Sequence, residues 1–456
     1  MTEIDMFAAS IRGVKATLHQ VRAELSPGLR QWLMPAGTET ARKETLVRVE
    51  TALRSSGIRP VPSRMEVRFE PARPLVPAHD LAVALAFAAL WDERGLRESL
   101  DGHLFLGELA LDGKVRPVRG VWPAVLAALE EPRVGRIVVP FANLGEGREA
   151  ARGRIEVVGV RTLSQAVGLL LGDEEPPCLV PTPGMDCRAE PLIEDMRCGR
   201  DVIDALMVAA LHGHGMLLTG PPGSGRTMAA RRLPGIMPSL SDAERDEVGA
   251  ILSVRGLLPG DGRELARPFR APHHTCSATA LVGGGTPPGP GEATLAHRGV
   301  LFLDDLPEFN RTALDGLRPA LQDGTTHIGR VGAGVLLPTQ TTLVAAMNCC
   351  PCGFRGAERA TGRRCECKDE AVRRYRARLP EKLLERMPIR LRMEAVPAPQ
   401  SGGHGLTTRE CRAAVTLARE FDPEGSSSED PVERVARSLA SLELTRDVTD
   451  AHIGRA

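Results

Sequence analysis

The run Gly220-Pro221-Pro222-Gly223-Ser224-Gly225-Arg226-Thr227 has the residue types and spacing of a loop that wraps phosphate. It fits G-x-x-x-x-G-K-[ST] at every position but one, because arginine stands where lysine is usual. The apolar run Met216-Leu-Leu-Thr219 precedes it and a helical segment follows, so the pattern reads strand, glycine-rich turn, helix. In that context backbone N–H groups surround phosphate oxygens, and the Thr227 hydroxyl is placed to ligate Mg²⁺. A second stretch, Gly299-Val-Leu-Phe-Leu-Asp304-Asp305, is an apolar strand ending in two carboxylates. In such pairs the first acid, here Asp304, orients Mg²⁺ and the next, here Asp305, polarises the attacking water. Either stretch alone has a plainer reading, a glycine-rich connector or a buried strand with a solvated end. Together they point to ATP with Mg²⁺.

Cysteines offer a second chemistry. The chain has 10, and five of them fall between Cys349 and Cys367, which is not the spread of a disulfide framework. Cys350-Pro-Cys352 and Cys365-Glu-Cys367 form two C-x-C pairs that could close a tetrahedral Zn²⁺ site, tighter than the usual C-x₂-C. Four protein ligands leave no open position, so structural zinc is the expectation, weighed against free thiols; Cys349 is not expected to be a ligand. His273 and His274 adjoin on a segment read as extended, where neighbouring side chains point oppositely, which favours structural or interface roles over metal binding.

Arg363-Arg364 and Arg373-Arg374-Tyr375-Arg376-Ala-Arg378 are the densest basic stretch, and 325–338, with Gly332-Ala-Gly334 at its tip, reads as a β-hairpin. Clustered arginines could contact DNA phosphates; a solvated helix face balanced by Glu381 and Glu385 is the other reading.

These residues need elements to hold them. At 456 residues, two or three domains are expected. Lysine plus arginine equals aspartate plus glutamate at 58 each, so no global field draws in a polyanion, and aromatics at 3% weaken the case for an aromatic base-stacking platform. No window is long and apolar enough to span a bilayer and no charged-then-apolar leader is seen, so a cytoplasmic protein without a membrane partner is expected. Residues 1–171 mix amphipathic segments with β-rich runs and read as one α/β domain, and the proline- and glycine-rich 172–190 as a linker. Short apolar runs alternating with helices over 191–395 imply a parallel sheet covered on both faces, and 396–456 reads as a small helical lid.

The same motifs, with Phe269-Arg-Ala-Pro-His273-His274-Thr275, Leu281-Val-Gly-Gly-Gly285, Leu295-Ala-His297 and Val344-Ala-Ala-Met-Asn348, closely resemble the Mg-chelatase-like AAA+ proteins of the ComM/YifB group, from about residue 8 to 395. Phe105-Leu-Gly-Glu108 and Arg116-Pro-Val-Arg-Gly120 resemble that group's Lon-protease-like, S5-type N-terminal domain. The resemblance implies a P-loop AAA+ core, a hexameric ring with ATP at subunit interfaces and, for the best-understood members, DNA branch migration. By the same match Asn348 becomes the residue that senses the γ-phosphate and Arg386 the arginine finger offered to a neighbouring subunit, with a surface helix charge as the plainer reading of Arg386. The nucleophilic serine and activating lysine of a Lon-type protease are not found in the matching stretches.

Three departures from the group fall on hydrolysis. Arg226 replaces lysine, Asp305 replaces glutamate, and Ser426-Ser-Ser428 replaces a stretch carrying a lid arginine, for which Arg434 could substitute. They leave two readings open: a nucleotide-gated assembly or regulatory protein with absent turnover, and a DNA-remodelling motor with slow ATP hydrolysis. A magnesium chelatase ATPase subunit is a third, disfavoured by the Lon-like domain.

Overall fold

The computed structural model describes residues 6–26, 31–34, 37–59, 64–92, 94–177, 191–258, 265–285, 288–329, 334–394, 405–426, 428 and 430–456. Residues 178–190 of the expected linker, the hairpin tip at 330–333, the 395/396 boundary and residue 427 lie outside these. The chain divides into two compact units, 1–185 with 245–264, and 186–244 with 265–456.

The first unit is built on a seven-stranded mixed sheet in the order Gln31–Leu33, Arg64–Glu70, Lys15–Ser26, Met6–Arg12, His103–Phe105, Arg136–Pro140, Glu156–Val160. Met6–Arg12, Lys15–Ser26 and Arg64–Glu70 pair antiparallel, and Met6–Arg12 then runs parallel to His103–Phe105 and the two strands beyond it. Gly13, at φ 64°, makes the two-residue turn between the first two strands, a conformation that needs no Cβ. The helix Asp80–Trp91 is apolar on every side and buried from Asp80 to Ala89, as a helix without a polar face must be.

Sequence reading runs the second domain unbroken from 191 to 395, yet the described residues 245–258 pack into the first unit. The cause is a notch. In the helix Asp242–Arg255, Gly249 lies so close to the Trp122 indole that a Cβ there would fall 2.3 Å from the ring. The Trp122 indole N–H donates to Asp246 Oδ1 at 3.3 Å, and Arg152 clamps the same carboxylate at 2.8 and 3.1 Å. Trp122 is fully buried. Trp122→Ala is expected to cost about 3–5 kcal/mol in a urea titration; a loss below about 1 kcal/mol would mean the helix docks without the indole.

Beneath the sheet, His79 is fully buried, its Nδ1 accepting from the Val76 N–H at 3.3 Å and its Nε2 lying 3.0 Å from the Ala9 carbonyl. Burial lowers its pKa from 6.5 to about 4. The unfolded chain therefore takes up this proton first on acidification, and His79 withdraws about 3 kcal/mol of stability as the pH falls from 6.5 through 4. Neighbouring Asp80, raised by burial to about 6 despite its Arg48 partner at 2.7 Å, acts oppositely. Its contribution is complete below 3.8 and lost as the pH rises through 6. Comparing wild type with His79→Gln isolates the histidine. Lowering the pH from 6.5 through 4 should reduce wild-type stability by about 3 kcal/mol relative to the variant, read from tryptophan fluorescence, since all 3 tryptophans lie in this unit.

The second unit holds a five-stranded sheet, all parallel, in the order Phe269–Arg270, Val300–Leu303, Thr342–Met347, Met216–Thr219, Ile389–Arg392. Alternate strand residues feed two cores. Met216, Leu218, Phe302, Val344 and Ala346 pack with the helices Arg200–His212 and Arg226–Ile236. Leu217, Leu301, Leu303, Leu343 and Met347 pack with the helix Arg311–Asp323 and with Tyr375 and Leu383. Cover on both faces is why the three central strands, Val300–Leu303, Thr342–Met347 and Met216–Thr219, read as continuous apolar runs. The C-terminal helices Thr408–Phe421, Pro431–Leu442 and Asp450–Arg455 follow, the first opened by a reciprocal Thr407/Glu410 capping box. Thr325–Ile328 and Val335–Pro338 form an antiparallel hairpin. Among the described residues no helix is long and apolar enough to cross a membrane.

Candidate functional site

Three parallel strands end together. Met216–Thr219 runs into the glycine-rich loop, Val300–Leu303 into Asp304-Asp305, and Thr342–Met347 into Asn348. In-register pairing of Leu218 with Ala346 and of Leu303 with Ala345 brings the three ends side by side. Gly223 and Gly225 take φ 79° and 86°, and a Cβ on Gly220 would fall 2.5 Å from the Met393 carbonyl oxygen. The helix Arg226–Ile236 starts directly after this turn with no side-chain cap, so its first N–H groups remain for an anion. Ser224 is buried and its hydroxyl has no partner among the described residues.

Thr227 Oγ1 donates to Asp304 Oδ2 at 2.9 Å, so the hydroxyl and carboxylate that would hold Mg²⁺ already touch. A hard cation that keeps several waters needs no more than this from protein, and the donor set fits. Asp305 follows in a left-handed conformation at φ 53°, uncommon for a residue with a Cβ. Its N–H donates to Asp304 Oδ1 at 3.1 Å.

Arg226 reaches the sensing residue. Its Nη2 donates to Asn348 Oδ1 at 2.9 Å, and Asn348 Nδ2 donates onward to Asp305 Oδ1 at 3.3 Å. The amide orientation follows from that network. Arg226 Nη1 is buried without a partner among the described residues, one donor left over for phosphate.

Arg386 is elsewhere. It lies next to Gly215, where the Met216–Thr219 strand begins, whereas the phosphate loop leaves that strand's other end, roughly 13 Å on. Arg386 Nη1 donates to the Leu321 carbonyl at 2.9 Å and lines a cavity of about 890 Å³ with Arg318, Lys382 and Arg434. Arg434, offered at the sequence level as a replacement lid arginine, shares that cavity, and its Nε is buried without a partner among the described residues.

Cys350, Cys352, Cys365 and Cys367 converge, with all four sulfurs within 4.8 Å of one another. Three separations are 3.3, 3.7 and 3.6 Å, close to the roughly 3.8 Å edge of a tetrahedron with 2.3 Å Zn–S bonds. The Phe354 backbone N–H is the main cause that lowers the Cys352 thiol to about 6, and the Arg355 N–H donates to Cys350 Sγ at 3.4 Å. Cys349 stays outside the group. The loop touches the phosphate site, since a Cβ on Gly353 would fall 2.7 Å from Pro222 Cδ.

Two sequence expectations need correction. The His273 and His274 rings do not point oppositely; their centroids are 4.1 Å apart because a turn at His274-Thr275 folds the segment, and His273 Nδ1 meets Thr275 Oγ1 at 2.8 Å. No metal-binding group among the described residues includes them. The basic stretch is balanced by other acids than Glu381 and Glu385: Arg374 pairs with Glu370 at 2.8 Å and Arg378 with Glu308 at 3.2 Å. Sequence reasoning missed the Arg226–Asn348 contact and the packing of Gly353 on Pro222, neither of which has a local signal.

Comparison with known proteins places this geometry. The family model described as magnesium chelatase, subunit ChlI, matches residues 193–401, and a second, described as subunit ChlI of Mg-chelatase, matches 21–143. The chain is 38% identical over 419 residues to an uncharacterised Mycobacterium tuberculosis protein, Rv2897c, covering 91% of this chain and 82% of that one. It is 36% identical over 424 residues to the uncharacterised protein YifB of Escherichia coli, covering 90% and 80%. It is 32% identical over 454 residues to competence protein ComM of Haemophilus influenzae, covering 97% and 86%.

Proposed function

Because the chain belongs to the Mg-chelatase-like ComM/YifB family, we propose that it is a ring-forming, ATP-binding AAA+ protein that remodels DNA with slowed hydrolysis. The observation that carries this reading is the connected set Arg226, Asn348 and Asp305 beside a Thr227–Asp304 pair. Loop N–H groups and Arg226 bind the β- and γ-phosphates, Thr227 and Asp304 hold Mg²⁺, and Asp305 orients water. Magnesium, when bound, neutralises charge developing on the transferred phosphoryl group. Arg226 spreads its charge over a plane and spends one N–H on Asn348, so phosphate is held while the developing charge is followed less closely.

The separation of Arg386 from its own chain's loop supports a trans role, in which the cationic cavity of Arg318, Arg386 and Arg434 meets the nucleotide of a second copy in a hexameric ring. Four thiolates at tetrahedral spacing support structural zinc. The hairpin and the arginines near 363–378 supply the DNA contact, in a cytoplasmic setting. A hydrolysis-deficient, nucleotide-gated regulator is the second reading, favoured by the same arginine. ATP turnover measured with and without branched DNA, alongside oligomer size, separates the two: the motor requires DNA-stimulated turnover in a ring, and ATP-dependent rings without turnover would establish the regulator. Arg386→Ala should keep ATP binding and lose at least about 10²-fold in turnover.

A further inference from the structure

On the face of the second sheet away from the phosphate-loop helix lies a cavity of about 560 Å³, the size of a small-molecule site. Its floor is apolar, with Leu379 and Leu384, and its walls carry Arg355, Arg376, Arg390 and Arg392, with no carboxylate among the described lining residues. Two of the guanidiniums are anchored, Arg355 by Asp369 at 2.8 Å and Arg392 by the Gly356 carbonyl at 3.0 Å. The Arg376 and Arg390 side chains are exposed and have neither a hydrogen bond nor an ion pair among the described residues. Asp369 offsets Arg355, and the three remaining cations on one concavity repel one another, a repulsion that a multivalent anion relieves; guanidiniums grip phosphate oxygens pairwise.

We propose that this cavity is a second anion site, distinct from the phosphate loop, which takes a small ligand bearing a diphosphate group. Asn348 lines it. That side chain also accepts from Arg226 and donates to Asp305, so an occupant bears on the hydrolytic residues through one amide. The cavity is bordered by the Asp369–Arg376 helix and the cysteine loop, and none of its described lining residues is aromatic, which suits a single phosphorylated molecule over a stacked nucleic-acid strand.

Cys349 lines the cavity and is partly accessible, which provides a readout at the site itself. The intact protein is treated with iodoacetamide, and Cys349 alkylation is followed by peptide mass spectrometry with inorganic pyrophosphate as the probe. Protection should reach about tenfold at ten times the pyrophosphate Kd. It should vanish in Arg376→Ala/Arg390→Ala, return in Arg376→Lys/Arg390→Lys, and persist in Thr227→Ala, whose defect is confined to the phosphate loop. Absent protection in wild type, protection that survives loss of both arginines, or protection lost in Thr227→Ala would each overturn the site. ADP in a parallel arm identifies the source: protection at lower concentrations than pyrophosphate assigns a nucleoside diphosphate, and equal or weaker protection a free diphosphate.

Discussion

Arg226→Lys combined with Asp305→Glu is expected to raise single-turnover ATP hydrolysis about 10²-fold over wild type, with nucleotide affinity changed far less. The expectation comes from what each side chain already touches. Arg226 spends one nitrogen on Asn348 Oδ1 at 2.9 Å, and that contact orients the amide so that its nitrogen faces Asp305. A compact ammonium in place of the guanidinium would concentrate its charge on phosphate and release the Asn348 oxygen. Asp305 is held at φ 53° directly after Asp304, with its side chain tied at 3.3 Å to Asn348. Moving the carboxylate outward by one methylene shifts it by roughly 1.5 Å, a displacement of the size that changes rates by about 10². The single variants discriminate between causes. A gain confined to Asp305→Glu would put the deficit in water placement, and a gain confined to Arg226→Lys in charge stabilisation. Fast wild-type turnover that neither reversion improves would show that the arginine set is competent as it stands.

Local pattern carried much of this molecule. The buried strands announce themselves as apolar runs, and the loop glycines at 223 and 225 sit where φ is positive. The two C-x-C pairs bring four sulfurs together as their spacing suggests. What remained hidden is long-range. The Arg226–Asn348 hydrogen bond joins residues 122 positions apart, and the Trp122–Asp246 contact joins residues 124 apart. Gly249 in its helix reads simply as a weak helix former, and only the indole lying on it explains the absent side chain. The directions of the His273 and His274 side chains are hidden for a related reason. Alternation holds on an extended strand, and a two-residue turn abolishes it.

Removal of metal from the cysteine cluster is the other large effect expected. Zinc bound by four thiolates contributes on the order of 10 kcal/mol to the structure it closes, more than most whole domains have to spare. Here the closed structure is small: Cys350 accepts the Arg355 N–H at 3.4 Å, and the Gly353 N–H donates to the Cys350 carbonyl at 2.9 Å. Without the cation no metal–sulfur bond joins the two C-x-C pairs, so the turn loses the closure that the metal supplies. The consequence travels, because Gly353 packs on Pro222 with no room for a Cβ, and Pro222 lies inside the phosphate loop. Purified protein should carry one zinc per chain by elemental analysis, and Cys352→Ser/Cys365→Ser should carry none. The variant should be cut by protease between 349 and 368 and should bind ATP at least about tenfold more weakly, while the first unit's tryptophan-monitored unfolding stays unchanged. Gly353→Val separates contact from metal: it retains the four thiolates and the zinc, but its side chain pushes on Pro222, so it should reproduce the loss of ATP affinity without the loss of zinc. Unaltered ATP binding in both variants would confine the cluster's role to its own loop.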